Sequence, residues 1–120
     1  MPKKSPKKSL TLPPMMIAYI TVNNPKEGAY LGKYLVELGL AACTNLLPKM
    51  QSCYRWKGKI EMATESVLIV KTTRAHKNKL LKVIRAKHSY TVPCVLFFEI
   101  KGGNPDYLNW LALNVKSPVK

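Results

Sequence analysis

The residues with the clearest chemical potential lie in AKHSYTVPC, residues 86–94, where His88 and Cys94 stand on either side of a proline. Imidazole nitrogen and thiolate sulfur are donors that suit Cu(I) and Zn(II) better than hard cations. Each residue also has a plainer reading. A histidine at the C-terminal end of a helix is favoured there by the helix dipole, and a cysteine opening an apolar strand is a small buried hydrophobe. Cys43, at the start of another predicted strand, carries the same two readings. Cys53 matches no functional pattern, and His76 falls on what reads as the exposed first turn of a helix, so neither is assigned a role. The three cysteines contain no C-x-x-C pair, which argues against a structural zinc site or a disulfide framework. An odd thiol count suits a reducing compartment, and a cytoplasmic protein is the expectation.

Catalysis finds little support. The six acidic residues are scattered, with no close pair to divide acid and base roles. No nucleophile elbow, P-loop or dinucleotide fingerprint occurs. A couple formed by Cys43 and His88 would lack a third group to orient it. The expectation is a protein that binds and does not catalyse.

The net charge of +14 raises the question of polyanions. Lys3, Lys4, Lys7 and Lys8 sit in MPKKSPKKSLTLPP, residues 1–14, a Pro/Ser-rich leader expected to be disordered. The other lysines are spread over most elements, which reads as a solvated surface. The leader and the apolar run MMIAYITV superficially mimic a signal peptide, but the run is short, contains Tyr19 and Thr21, and lacks a small-residue cleavage site. No run approaches the roughly 20 residues of a membrane helix.

These residues must be positioned by a backbone, and the pattern of elements is readable. Met15–Val22 is a continuous apolar run, as in a central strand. Asn24 and Pro25 start a helix whose stripe is Leu31, Leu35 and Leu38, and Gly39 ends it. Cys43–Leu47 and Met50–Trp56 form a second strand interrupted at Pro48, and WKGKI turns it into a third, Ile60–Thr72. Thr73 is placed to cap a second helix with Leu80, Leu81 and Ile84 on its apolar side. Val92–Ile100 reads as a fourth strand, and GGNPDYLNWL opens a short third helix running to about Leu113.

The order β-α-β-β-α-β-α predicts an α+β, ferredoxin-like sandwich over residues 15–116, with residues 117–120 as a tail. A chain of this size buries a core without a metal, so no cofactor is required for folding. One sheet face stays open, and the long hairpin between the second and third strands is unstable alone in water. Self-association is implied, with Tyr54 and Trp56 as buried anchors. The RNA-recognition module shares this element order, but its third strand needs aromatic residues, and ESVLIVKTT has none. No specific nucleic-acid partner is expected.

Five segments, VELGLAACTNLLP, CYRWKGKIE, VLIVKTT, HSYTVP and GNPDYLNWL, together resemble the CutA family of divalent-cation tolerance proteins over about Met16 to Leu111. The resemblance implies a tight homotrimer built by hairpins that pair across subunits. It also implies association with copper or another divalent cation. Tyr54, Trp56, Lys57 and Gly58 match the hairpin motif, and Tyr107 and Trp110 the terminal helix. The implied trimer interface therefore holds Tyr54, Trp56, Tyr107 and Trp110, with Lys71 and Tyr90 in a cleft between subunits. The implied metal residues are His88, in the place of the histidine of H-P-Y-x-x-P-E, and Cys43, in AAC-x-N. Tyr90 and Pro93 match the same motif as His88. Two positions depart: Ser89 stands for the usual proline and Cys94 for the usual glutamate. Ser89 frees a fixed φ, and Cys94 offers sulfur in place of an anionic oxygen, which adds it to the expected metal site. A trimeric small-ligand or signalling scaffold is the alternative function, because ligand pockets favour such boundaries.

Overall fold

The structure is a computed structural model that describes residues 11–116. Strand β1 (Met15–Val22) buries Ala18, Ile20 and Val22 completely and leaves Ile17, Tyr19 and Thr21 half-buried on the other face. That two-residue alternation is what a strand needs when only one face meets helices. Helix α1 (Pro25–Glu37) starts where Asn24 Oδ1 accepts the Glu27 N–H at 2.8 Å, with proline at its first position. It ends in a Schellman arrangement. Leu40 N–H reaches the Leu35 carbonyl and Gly39 N–H the Val36 carbonyl, with Gly39 at φ 77°.

Strands β2 (Cys43–Trp56) and β3 (Lys59–Thr73) meet through Lys57 and Gly58, both at positive φ, as a two-residue hairpin turn requires. Their ladder slips between Leu47 and Met50, where Pro48 lacks the N–H to continue it; the Pro48 carbonyl instead accepts the Ser66 hydroxyl at 2.6 Å. A 3-10 turn (Arg74–His76) leads into helix α2 (Lys77–Lys87), followed by strand β4 (Val95–Glu99) and helix α3 (Pro105–Asn114). The sheet order is β2-β3-β1-β4 with every neighbouring pair antiparallel. This is the expected α+β, ferredoxin-like arrangement, in which each βαβ unit is split by a strand of the other. Leu31 and Leu35 of α1, with Leu80 and Ile84 of α2, pack on Ala18, Ile20, Leu68 and Val70, so both long helices cover one face.

Three expectations change. The fourth strand begins at Val95 instead of Val92, since Pro93 donates nothing to a ladder and residue 94 contributes only its carbonyl, to Thr21 N–H at 3.3 Å. Thr73 does not cap a backbone N–H; its hydroxyl lies 2.6 Å from His76 Nδ1. His76 is consequently buried and not exposed, with its other ring nitrogen on the Lys116 carbonyl. Of the expected leader, residues 1–10 lie outside the described residues, as does the tail 117–120. Residues 11–14 make definite contacts: Leu12 packs on the cluster of Met15, Leu111 and Val115, and the Pro14 carbonyl accepts Arg74 N–H at 2.9 Å.

β1 ends opposite Ser66, so Met50–Trp56 and Lys59–Glu65 continue as a two-stranded ribbon with no third strand beside it. The ribbon stretches the chain to 54 Å in its long dimension against 30 and 23 Å in the others. Trp56, Ile60 and Met62 on it are about half exposed. On the main sheet, Phe98 pairs with Ile17 and Leu96 with Tyr19, which puts these apolar side chains on the face opposite the helices. Leu96 and Phe98 remain 50% and 55% exposed, so that face lacks a cover. α3 shields part of one end, where Tyr107 and Trp110 pack with rings 5.5 Å apart.

Candidate functional site

Among the described residues a dense set of polar bonds gathers at the junction between α2 and β4, where the chain turns from His88 through Tyr90. His88 follows the last helical residue, Lys87, and its N–H closes the helix on the Ile84 carbonyl at 2.8 Å. Its side chain is fully buried. The Tyr90 N–H donates to Nδ1 at 3.0 Å, which fixes Nδ1 as the acceptor. Nε2 therefore carries the proton and donates to the Thr21 carbonyl at 2.7 Å. Both ring nitrogens are used by the backbone.

Ser89, in the position where proline was expected, has an N–H to give. It donates through its N–H to Glu27 Oε2 at 2.8 Å and through its hydroxyl to Oε1 at 3.1 Å. Glu27 also accepts the Asn23 N–H at 2.9 Å, so one carboxylate ties the start of α1 to the end of α2. Burial opposes the charge on Glu27, but the N–H donors of Asn23 and Ser89 and the Ser89 hydroxyl outweigh it and hold the carboxyl below its usual range. A depressed carboxyl contributes stability that is complete above its unfolded pKa of about 4.3 and fades as pH falls through the lower folded value. Glu27→Gln should therefore cost about 1–2 kcal/mol at neutral pH and progressively less below about pH 4. Urea midpoints of both proteins from pH 3 to 7 measure this; a gap that stays constant with pH refutes it.

Tyr90 completes the site. Its hydroxyl donates to Glu65 Oε2 at 2.6 Å, and its ring stands 4.8 Å from that of His88. Burial first, and the Glu65 carboxylate second, raise the phenol well above the usual tyrosine range, so it remains a donor at any physiological pH.

The structure divides the predicted residues into two groups. His88 and Cys94 both meet Thr21, whose carbonyl accepts from the His88 ring and whose N–H donates to the Cys94 carbonyl, and Tyr90 joins them through its N–H on His88 Nδ1. Cys43 is elsewhere: it pairs with Lys71, which pairs with Ile17, so it lies two strands out from β1 and level with a residue four positions before Thr21. Among the described residues no three His, Cys, Asp or Glu side chains gather as a metal site, and the donor set His88, Cys43 and Cys94 does not converge within one protomer. All three cysteines are free thiols; Cys43 and Cys94 are half-buried and Cys53 is exposed. Lys71 and Tyr90, expected in a cleft between subunits, lie apart within one protomer. Lys71 Nζ donates to the Tyr107 hydroxyl at 3.2 Å and lies over that ring, while Tyr90 binds Glu65, about 20 Å away along β3 at the usual rise per residue. Tyr54 and Trp56 sit exposed on the ribbon, and Tyr107 and Trp110 half-buried on α3.

Sequence reasoning missed both Glu65 and Glu27 as members of this site. The one signal for Glu65 was an acid placed directly before the buried half of β3, in ESVLIV. Among the described residues no helix is long and apolar enough to cross a membrane.

Residues 16–114 match the family model described as CutA1 divalent ion tolerance protein. The chloroplastic Protein CutA 1 of Oryza sativa subsp. japonica is 40% identical over 101 residues, covering 84% of this chain and 57% of the relative. The chain thus spans little more than half the length of that plant protein. The divalent-cation tolerance protein CutA of Thermus thermophilus is 41% identical over 98 residues, covering 82% of this chain and 95% of the relative. The crystal structure of CutA1 from Oryza sativa superposes with a TM-score of 0.85 at 37% identity, covering 88% of this chain and 96% of that one.

Proposed function

The chain belongs to the CutA family of divalent-ion tolerance proteins, and from that premise we propose that it acts as a homotrimer that binds divalent cations, copper foremost, without catalysis. One observation carries the assembly: a two-stranded ribbon and an uncovered apolar face in the same chain. A free ribbon is marginal in water, and exposed Trp56, Ile60, Met62, Leu96 and Phe98 need a partner surface. Pairing of ribbons across subunits supplies both at once, with an interface above about 2,000 Å². Tyr54, Trp56, Tyr107 and Trp110 are its proposed anchors, and the clefts beside Lys71 and Tyr90 its proposed ligand-facing boundaries.

The proposed cation site draws on more than one subunit, because among the described residues no third donor gathers with Cys43 or Cys94 within one protomer, and both His88 ring nitrogens already serve the backbone. The half-buried thiols of Cys94 and Cys43 are its best donors, and they suit a soft cation. A cytoplasmic location is proposed with it, since free thiols persist in reducing compartments.

The test couples mass to titration. Light scattering should give three times the 13.5 kDa chain mass, and Trp56→Glu with Ile60→Glu should give monomer. Titration of reduced protein with Cu(I), Cu(II) and Zn(II) should show weakened binding in Cys94→Ala or Cys43→Ala. A monomeric parent, or full-strength binding in both cysteine variants, refutes the corresponding half of the reading.

A second reading has its own support. The polar groups around Tyr90 are fixed by hydrogen bonds that need no metal, as expected of a preformed small-ligand cleft. Melting shifts across a panel of metabolites, with and without chelator, separate the two.

A further inference from the structure

We propose that the outward side of α2 and the loop leading to β4 form a docking groove for an acidic peptide segment bearing one apolar side chain. The lining of this surface includes no ribbon residue and none of Glu27, His88 and Tyr90, although Thr91 of the same loop contributes to it. α2 turns Leu80 and Ile84 into the core and presents the other side to solvent. That side carries Lys82 and Arg85, one turn apart, and the helix as a whole holds Lys77, Lys79, Lys82, Arg85 and Lys87 with no acid. Cations in its first turn oppose the helix dipole, so the single-sign composition is not explained by helix stability.

Beside the cations lies an open hollow. Leu81, Pro93 and Val95 form a half-buried apolar floor, and Val92 stands 66% exposed at its edge. The hollow measures about 300 Å³ and runs into a second of about 660 Å³ lined by Lys82 and Arg85. Three hundred cubic ångströms is ample for one leucine-sized side chain. Among the described residues neither Lys82 nor Arg85 has an ion-pair or hydrogen-bond partner, whereas Lys77 lies over Phe97 and Lys87 over Tyr34. An apolar floor beside two unpaired cations is complementary to a carboxylate-flanked hydrophobe.

Other occupants fit worse. The chain's own termini are basic: Lys3, Lys4, Lys7, Lys8 and Lys120 lie outside the described residues and no acid does. A second copy offers few free carboxylates, since Glu27, Glu65 and Glu99 are already bonded to Ser89, Tyr90 and Arg74. Single-stranded nucleic acid needs rings to stack on, and the groove lining contains none. Phosphates along a duplex would cover an apolar floor without filling it.

The experiment is fluorescence anisotropy with the full chain and labelled peptides of about twelve residues, rich in Asp and Glu, at about 0.1 M salt. One peptide carries a central leucine, a second carries alanine there, and a short labelled DNA duplex is the third probe. The leucine peptide should bind, and the alanine peptide about fivefold more weakly. Lys82→Glu with Arg85→Glu should weaken the leucine peptide about tenfold or more, and Val92→Ser less than that. Lys33→Glu, a reversal on an exposed α1 lysine, should leave binding unchanged within about twofold. Circular dichroism checks that the exposed-site variants keep the fold. The proposal fails if the leucine peptide does not bind, if alanine serves as well as leucine, or if the double reversal has no effect. It fails equally if the duplex binds as tightly as the peptide and is lost with the same reversal, which assigns the face to nucleic acid.

Discussion

A Gly32→Val protein should melt about 10 °C or more below its parent, a large loss for a single substitution away from the ribbon. Gly28 and Gly32 lie one turn apart on the side of α1 that meets β2. A Cβ at residue 32 would stand 2.7 Å from Thr44 Oγ1 and 3.2 Å from Leu68 Cδ1. Both neighbours are constrained. Leu68 is fully buried in the main core, and Thr44 is held in the ladder opposite Val70. Valine adds two methyl groups beyond that Cβ, so α1 must lift from the sheet or the core must shift, at about 2–4 kcal/mol. Replacing glycine within a helix recovers only about 0.5 kcal/mol of that. Gly28→Ala is milder despite a closer approach of 2.5 Å, because alanine adds only the Cβ and the atom met most closely is the terminal methyl of half-buried Leu46, with Val22 Cγ2 next at 3.1 Å. Gly102→Ala, with nothing within 4 Å, is the silent control. Thermal scans at one fixed protein concentration decide it. If Gly32→Val and Gly102→Ala melt together, the helix does not ride on its glycines.

The parts of this fold that were legible are those whose causes are local. Asn24, Pro25 and Gly39 each act within a few residues, and α1 begins and ends where they require. Lys57-Gly58 and Pro48 likewise mark the turn and the ladder slip. Apolar composition misled at Val92, because counting hydrophobes ignored that Pro93 has no N–H to pair. Thr73 misled in another way: it was a reasonable cap, but a histidine three residues on offered its hydroxyl a better partner. The junction site was the least legible. His88 was recognisable as a helix-ending residue, yet its bond to Thr21 spans 67 positions and the Ser89–Glu27 bonds span 62. No periodicity records such pairings, and Glu65 meets Tyr90 only because β3 carries it there. Register along the strands likewise separates Cys43, opposite Lys71 and through it level with Ile17, from His88 at Thr21, two residues that separate family motifs had assigned to one metal site.

That separation gives His88→Ala its importance. In protein treated with chelator, the substitution should cost about 2–4 kcal/mol. The ring is fully buried, and alanine leaves two backbone groups without partners, the Thr21 carbonyl and the Tyr90 N–H. Each unsatisfied buried group costs about 1–3 kcal/mol, partly recovered where water enters the vacated space. The loss should be felt along the loop. Tyr90 would lose the ring beside its own as well as the acceptor of its N–H, which loosens its grip on Glu65. Amide exchange should therefore rise at Tyr90 while the Leu80 and Ile84 amides stay protected. A histidine that served mainly as a metal ligand behaves otherwise: chelator alone would destabilise the parent by a similar amount, and the variant would lose little more. With both ring nitrogens already given to the backbone, the cost should be the same with and without chelator. That result would leave sulfur, not imidazole, as the donor through which this chain meets a cation.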